Sequence, residues 1–294
     1  MKQNIAIKPF SRYTVLSIIR FPRCKMELTQ VSAPVMNTMM LAVLVGLIGP
    51  VAAAWIAAAK FKTRLLPTIM GLFGYILAAF FLRSMLLSAI SQTAFFTALR
   101  ENELLYQLFL AFTLVLFEEL VRFLILRFVF KNRTSDENGF SMGISWGATE
   151  CLITLGLVYF SYYMTGRTLN AGNFEVLSEA ELADLKDGVA YLALLSPLSI
   201  VLDIIKGISG IIMQVFYTFV LMRGVKNNTS LFCIGLVCVV HLLYIYIPTL
   251  LILLPAGLII STLFCTVAAT LLFYYMREAY RRAKYYTDPK NQIN

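Results

Sequence analysis

Apolar residues run along this chain in seven stretches, near 35–59, 65–90, 104–128, 140–165, 189–222, 229–248 and 250–276. A helix that crosses a bilayer needs about 20 mainly apolar residues, so the pattern predicts about seven transmembrane helices. The fifth stretch is too long for one simple helix and carries Pro197, Asp203, Lys206, Gly207 and Gly210. A broken or re-entrant start is expected there, followed by a span to about Met222. Pro50 and Pro255 predict kinks in the first and last runs. The longest polar connection, 166–188, holds five acidic residues from Glu175 to Asp187. With no internal repeat or low-complexity tract, the division is a basic segment over 1–34, a membrane domain over 35–276 and a basic tail over 277–294.

Composition agrees with the pattern. Hydrophobic residues make up 59% of the chain and charged residues 14%, against about 25% charge in a soluble domain. The fold class is all-α, a polytopic integral membrane protein, expected in a bacterial cell membrane. The net charge of +9 fits basic cytoplasmic loops better than a nucleic-acid partner, and none is expected. Cys24, Cys151, Cys233, Cys238 and Cys265 form no C-x-x-C pair, and four of them lie in apolar runs. Neither a disulfide framework nor a zinc knuckle follows.

Lys and Arg in alternate loops set the orientation. One side holds thirteen, in the loops around Lys60–Arg64, Arg127–Arg133 and Arg223–Lys226 and in the tail. The other holds Arg83, Arg100, Arg167 and Lys186. The positive-inside rule puts the C-terminus in the cytoplasm and the N-terminus outside. Six positives before Met26 oppose this. Translation starting at Met26 resolves the conflict and is the preferred reading; an amphipathic arm on the membrane surface is the other.

The chemistry sits in the third run, at Phe117-Glu118-Glu119-Leu120-Val121-Arg122. An ionisable residue at the bilayer centre costs at least about 2.5 kcal/mol, so three together need a reason. Arg122 lies four residues after Glu118 and three after Glu119, so on a helix it can face either acid. It cannot neutralise both. The choice is between a structural ion pair and a reaction centre or ion path.

Depth favours a shared site. Glu119 lies twelve residues before Lys131, Glu150 eleven after Gly139, and His241, the single histidine, twelve after Thr229. At about 1.5 Å per residue all three fall in one layer near mid-membrane. Gly143 and Gly147 precede Glu150 as a small-x-x-x-small pair, which lets two helices approach closely and serves packing as readily as catalysis. His241 taken alone reads as a packed histidine. An H-E-x-x-H zinc site needs two histidines, and an aspartyl dyad needs a second membrane aspartate beside Asp203. Gly207-Ile208-Ser209-Gly210 matches a serine-protease pattern of four residues, but that reading leaves the glutamate pair unused. Carboxylate chemistry on water remains.

Glu-Glu-x-x-Arg, a glycine-bearing helix with a glutamate and a histidine on a later helix resemble the YhfC family of intramembrane proteases, relatives of the CAAX prenyl endopeptidases and PrsW proteases. The resemblance covers about 35–276 and includes the seven-helix layout. It implies that Glu118 or Glu119 activates water, with Arg122 as counter-charge, His241 as oxyanion donor or water ligand, and Glu150 as a supporting acid. No cofactor and no metal are expected, since one histidine makes a poor zinc site. The partners would be a membrane-embedded or membrane-associated peptide or protein and the lipid bilayer.

Three positions depart from the family pattern. Trp146 stands four residues before Glu150 where a histidine is expected, and Ile245 stands four after His241 where an aspartate is expected. Lys206-Gly207 replaces a Glu-Arg pair in a looser alignment. Trp donates one hydrogen bond and accepts no proton. The expectation is therefore an endopeptidase or an inactive relative. A proton- or ion-coupled transporter using Glu, His, Asp203 and Lys206 as relays is the alternative from another class, and a non-catalytic peptide-binding or immunity protein is the third.

Overall fold

The computed structural model describes residues 30–61, 65–131, 134–172, 192 and 194–287. Most of the basic N-terminal segment, most of the acidic connection and the end of the tail lie outside the described residues. What is described is an all-α polytopic membrane protein. In order come α1 (Ala33–Phe61), α2 (Leu65–Tyr75), α3 (Arg83–Ile90), α4 (Ala94–Glu101), α5 (Glu103–Leu124), α6 (Asp136–Cys151), α7 (Val158–Ala171), α8 (Pro197–Lys226), α9 (Ser230–Leu251) and α10 (Gly257–Thr287). Wide π-type turns continue three of these helices, at Ile76–Leu82, Ile125–Val129 and Leu152–Leu157.

Among the described residues six helical rods are long and apolar enough to cross a membrane: Ala33–Trp55, Leu65–Ile90, Asp136–Ala171, Pro197–Lys226, Ser230–Leu251 and Gly257–Ala283. The seventh expected span, α5 with its π turn, carries the charged trio and is not among them. Large apolar side chains such as Val51, Trp55, Phe73, Phe81 and Phe232 are exposed, as a lipid-facing surface requires, while the polar residues of the chemistry are buried.

Several expectations are corrected. The fifth run is not broken at Asp203 to Gly210: α8 is one helix of 30 residues. It begins at a Ser196 cap whose hydroxyl accepts from the Ser199 amide, with Pro197 in the first turn, where its missing N–H is no loss. Pro255 kinks no helix; it lies in the turn between α9 and α10. Pro50 stays inside α1. The connection expected from residue 166 begins later, since α7 runs on to Ala171 and ends on Gly172 at φ 68°, a left-handed conformation that glycine adopts without strain.

The bundle is built around α6 and α8. The α8 helix packs against α6, α10, α9 and α1, and α6 also packs against α1 and α2. Gly143 and Gly147 make the α6–α8 contact close. A Cβ on Gly143 would stand 2.6 Å from Val215 Cα, and one on Gly147 would stand 2.7 Å from Ile211 Cα. At one end of the bundle Arg223 donates to Asp136 at 2.8 Å and to the Ala279 carbonyl at 3.1 Å, and Tyr280 donates to Glu137 at 3.0 Å. The start of α6, the end of α8 and the basic part of α10 therefore share one end, as the loop alternation requires.

Candidate active site

The α5 helix supplies Glu118, Glu119 and Arg122, all fully buried. One turn of helix brings Arg122 onto Glu119, and its Nη1 donates to both carboxylate oxygens at 2.6 and 2.7 Å. Glu118, one residue further along the helix, lies 3.7 Å from Nη2. The guanidinium thus favours Glu119. From α9, His241 brings Nδ1 to 2.7 Å from Glu119 Oε1. Its ring stacks on Tyr217 of α8, with centroids 4.3 Å apart. His241 Nε2 is buried without a hydrogen-bond partner.

Glu118 is held from the other side. Trp146 donates its indole N–H to Glu118 Oε2 at 3.1 Å, and Arg122 lies 4.4 Å over the indole ring. The residue at the departed motif position therefore anchors a carboxylate and packs on the arginine. Gln214 of α8 links the groups. Its amide donates to Glu118 Oε2 at 3.1 Å and to Glu150 Oε2 at 2.6 Å, and its carbonyl oxygen accepts from Arg122 Nη2. The close α6–α8 approach at Gly147 makes this bridge possible, since it brings Glu150 and Gln214 within one side-chain length.

The structure brings all five expected residues, Glu118, Glu119, Arg122, Glu150 and His241, into one buried network. Sequence reasoning missed Gln214, its hub. A signal was available: Gln214 is an amide in an apolar run, twelve residues before Lys226, and so falls in the same layer. Tyr217 was also missed, because an aromatic residue in an apolar helix carries no mark of stacking on a histidine. Ile245 and Lys206 lie outside the network. Lys206 instead pairs loosely with Asp203 at 3.4 Å, and Tyr159 donates to Asp203 at 2.8 Å.

A cavity of about 130 Å³ opens between α6 and α8 on one side and α9 and α10 on the other, with Glu150, Thr154, Asp203, Lys206, Tyr244 and Thr249 among its lining residues. It has room for several waters. Of the network, Glu150 borders it; Glu118, Glu119, Arg122 and His241 do not.

The family model described as YhfC intramembrane metalloprotease matches residues 41–250, more than two thirds of the chain. No curated protein and no solved structure matches it. The family description names a metal, and the donor set here does not fit one. His241 has the form of an oriented ligand, with Nδ1 on a carboxylate and Nε2 bare. Protein zinc sites use at least three side-chain ligands, however, and among the described residues no three of His, Cys, Asp and Glu converge in a way that could hold an ion. By the extent of the match, the chain belongs to the YhfC intramembrane metalloprotease family.

Proposed function

We propose that this protein is an endopeptidase of the cell membrane in which a glutamate carboxylate, rather than a metal, activates the attacking water. The observation that carries the reading is Glu150 on the wall of a cavity that Thr154, Asp203 and Lys206 also line, joined through Gln214 to Glu118 and the rest of the charged network. Glu150 is the general base for a water in the cavity. It takes a proton as the water oxygen attacks the peptide carbonyl carbon, and returns it to the departing amine nitrogen as the C–N bond breaks. Gln214 aims Glu150, and Glu118 is the second carboxylate on the same amide. Glu119, with both oxygens on Arg122 and one on His241, serves to position the others. This moves the base from the glutamate pair, where the family resemblance placed it, to the carboxylate of the network that borders the cavity. The substrate is a membrane-embedded or membrane-associated segment, and the N-terminus of the enzyme lies outside with its C-terminus in the cytoplasm.

The test is a reconstituted cleavage assay on candidate membrane peptides. Glu150→Gln should abolish turnover, Glu118→Gln should reduce it strongly, and His241→Ala should reduce it through Glu119. Cleavage that persists in the Glu118→Gln/Glu150→Gln double variant would sink the mechanism. A second reading rests on Trp146, whose indole holds Glu118 where the family pattern has a proton-accepting histidine: an inactive relative that binds peptides. Cleavage present only in Trp146→His would establish it.

A further inference from the structure

We infer that Arg122 is the resident cation of this site, its guanidinium supplying the charge compensation for the buried carboxylates in a chain whose donor set, among the described residues, fits no metal. The network holds three glutamates at mid-membrane, and carboxylates in such surroundings need a nearby positive charge. Arg122 supplies it in a form no point charge reproduces. Its planar fork puts Nη1 on both oxygens of Glu119, at 2.6 and 2.7 Å. It gives Nη2 to Gln214 and holds Glu118 at 3.7 Å. Trp146 packs on its face at 4.4 Å and Tyr217 lies 5.7 Å away, so the group is caged by aromatic rings as well as by acceptors.

A divalent ion bound at Glu119 would need atoms that are already engaged. It would sit about 2.0–2.2 Å from a carboxylate oxygen, and both oxygens of Glu119 are already taken by Nη1, with Oε1 shared by His241. On the far side of the imidazole, Nε2 is bare, but one nitrogen is a single ligand. Metal and guanidinium are therefore mutually exclusive at Glu119, and the chain encodes the guanidinium. The inference does not depend on catalysis: metal content and cleavage are separate measurements.

The test uses the full-length protein purified in detergent through an affinity tag that binds no metal. Zinc, manganese, iron, cobalt, nickel and copper are quantified by elemental mass spectrometry. Melting temperature is followed with chelator, with zinc and with methylguanidinium for wild type, Arg122→Ala and Arg122→Lys. Wild type should carry far less than one ion per chain and melt at the same temperature with or without chelator. Arg122→Ala should melt lower and recover with methylguanidinium but not with zinc. Arg122→Lys should also melt lower, because an ammonium cannot grip Glu119 and Gln214 together. One tightly held ion per wild-type chain, lost in His241→Ala or Glu119→Gln, would overturn the inference; so would recovery of Arg122→Ala by zinc. If Arg122→Ala fails to accumulate, the wild-type metal content decides alone.

Discussion

Replacing Gln214 with leucine tests the hub of the network directly. Leucine nearly matches glutamine in volume, so the change removes hydrogen bonds without opening a large cavity. Three bonds disappear: those to Glu118 at 3.1 Å and Glu150 at 2.6 Å, and the one from Arg122. In water-soluble proteins a bond to a charged group contributes about 1.5–3 kcal/mol. Inside membranes the average falls to about 0.6 kcal/mol with a maximum near 1.7, because the unfolded helices also find partners. Three bonds then give a loss of roughly 2–5 kcal/mol, toward the upper end because the partners left behind are charged. Reversible unfolding in mixed detergent micelles measures this, with Gln214→Asn as a variant that keeps the amide but shortens its reach. Cleavage should fall in both variants, since Glu150 loses the group that aims it. A Gln214→Leu protein within about 0.5 kcal/mol of wild type, the range of a neutral surface change, would show that these contacts do not organise the site.

Other expected outcomes concern the charge pair, the close helix contact and the orientation. Arg122→Ala should destabilise the protein by about 3–5 kcal/mol, the usual cost of leaving a buried partner unpaired, as read in the same micelle unfolding. Gly147→Ala should cost about 1–3 kcal/mol because its Cβ would meet the α8 backbone and force the helices apart, and cleavage should drop as Glu150 leaves Gln214. Gly210→Ala, with nothing within 4 Å of the added carbon, should unfold as wild type does and serves as its control. In whole cells, with the native cysteines replaced, an impermeant thiol reagent should label Gln92→Cys and spare Asn228→Cys. The opposite pattern would invert the orientation.

The sequence by itself determined the class and singled out five residues that the structure brings into one buried network. A run of about 20 apolar residues has one stable form in a bilayer, since every backbone N–H must be satisfied within its own helix, so the spans could be read without a partner in view. The same constraint makes a mid-membrane charge costly, which is why Glu118, Glu119, Arg122, Glu150 and His241 stood out. Distance from the basic loops then put them at one depth, because rise per residue is fixed along a helix. Rotation about each helix axis was not legible. Whether Arg122 turned to Glu118 or Glu119 depended on where Trp146, Gln214 and His241 arrived, and these come from three other helices. The continuity of α8 was misread for a related reason: Asp203, Lys206 and two glycines weaken a helix considered alone, and the partners that satisfy Asp203, Tyr159 of α7 and Lys206, are seen only in the folded chain. The position of Glu150 on a cavity wall was not legible either, since bordering a cavity belongs to the space between four packed helices and is encoded in no single one of them.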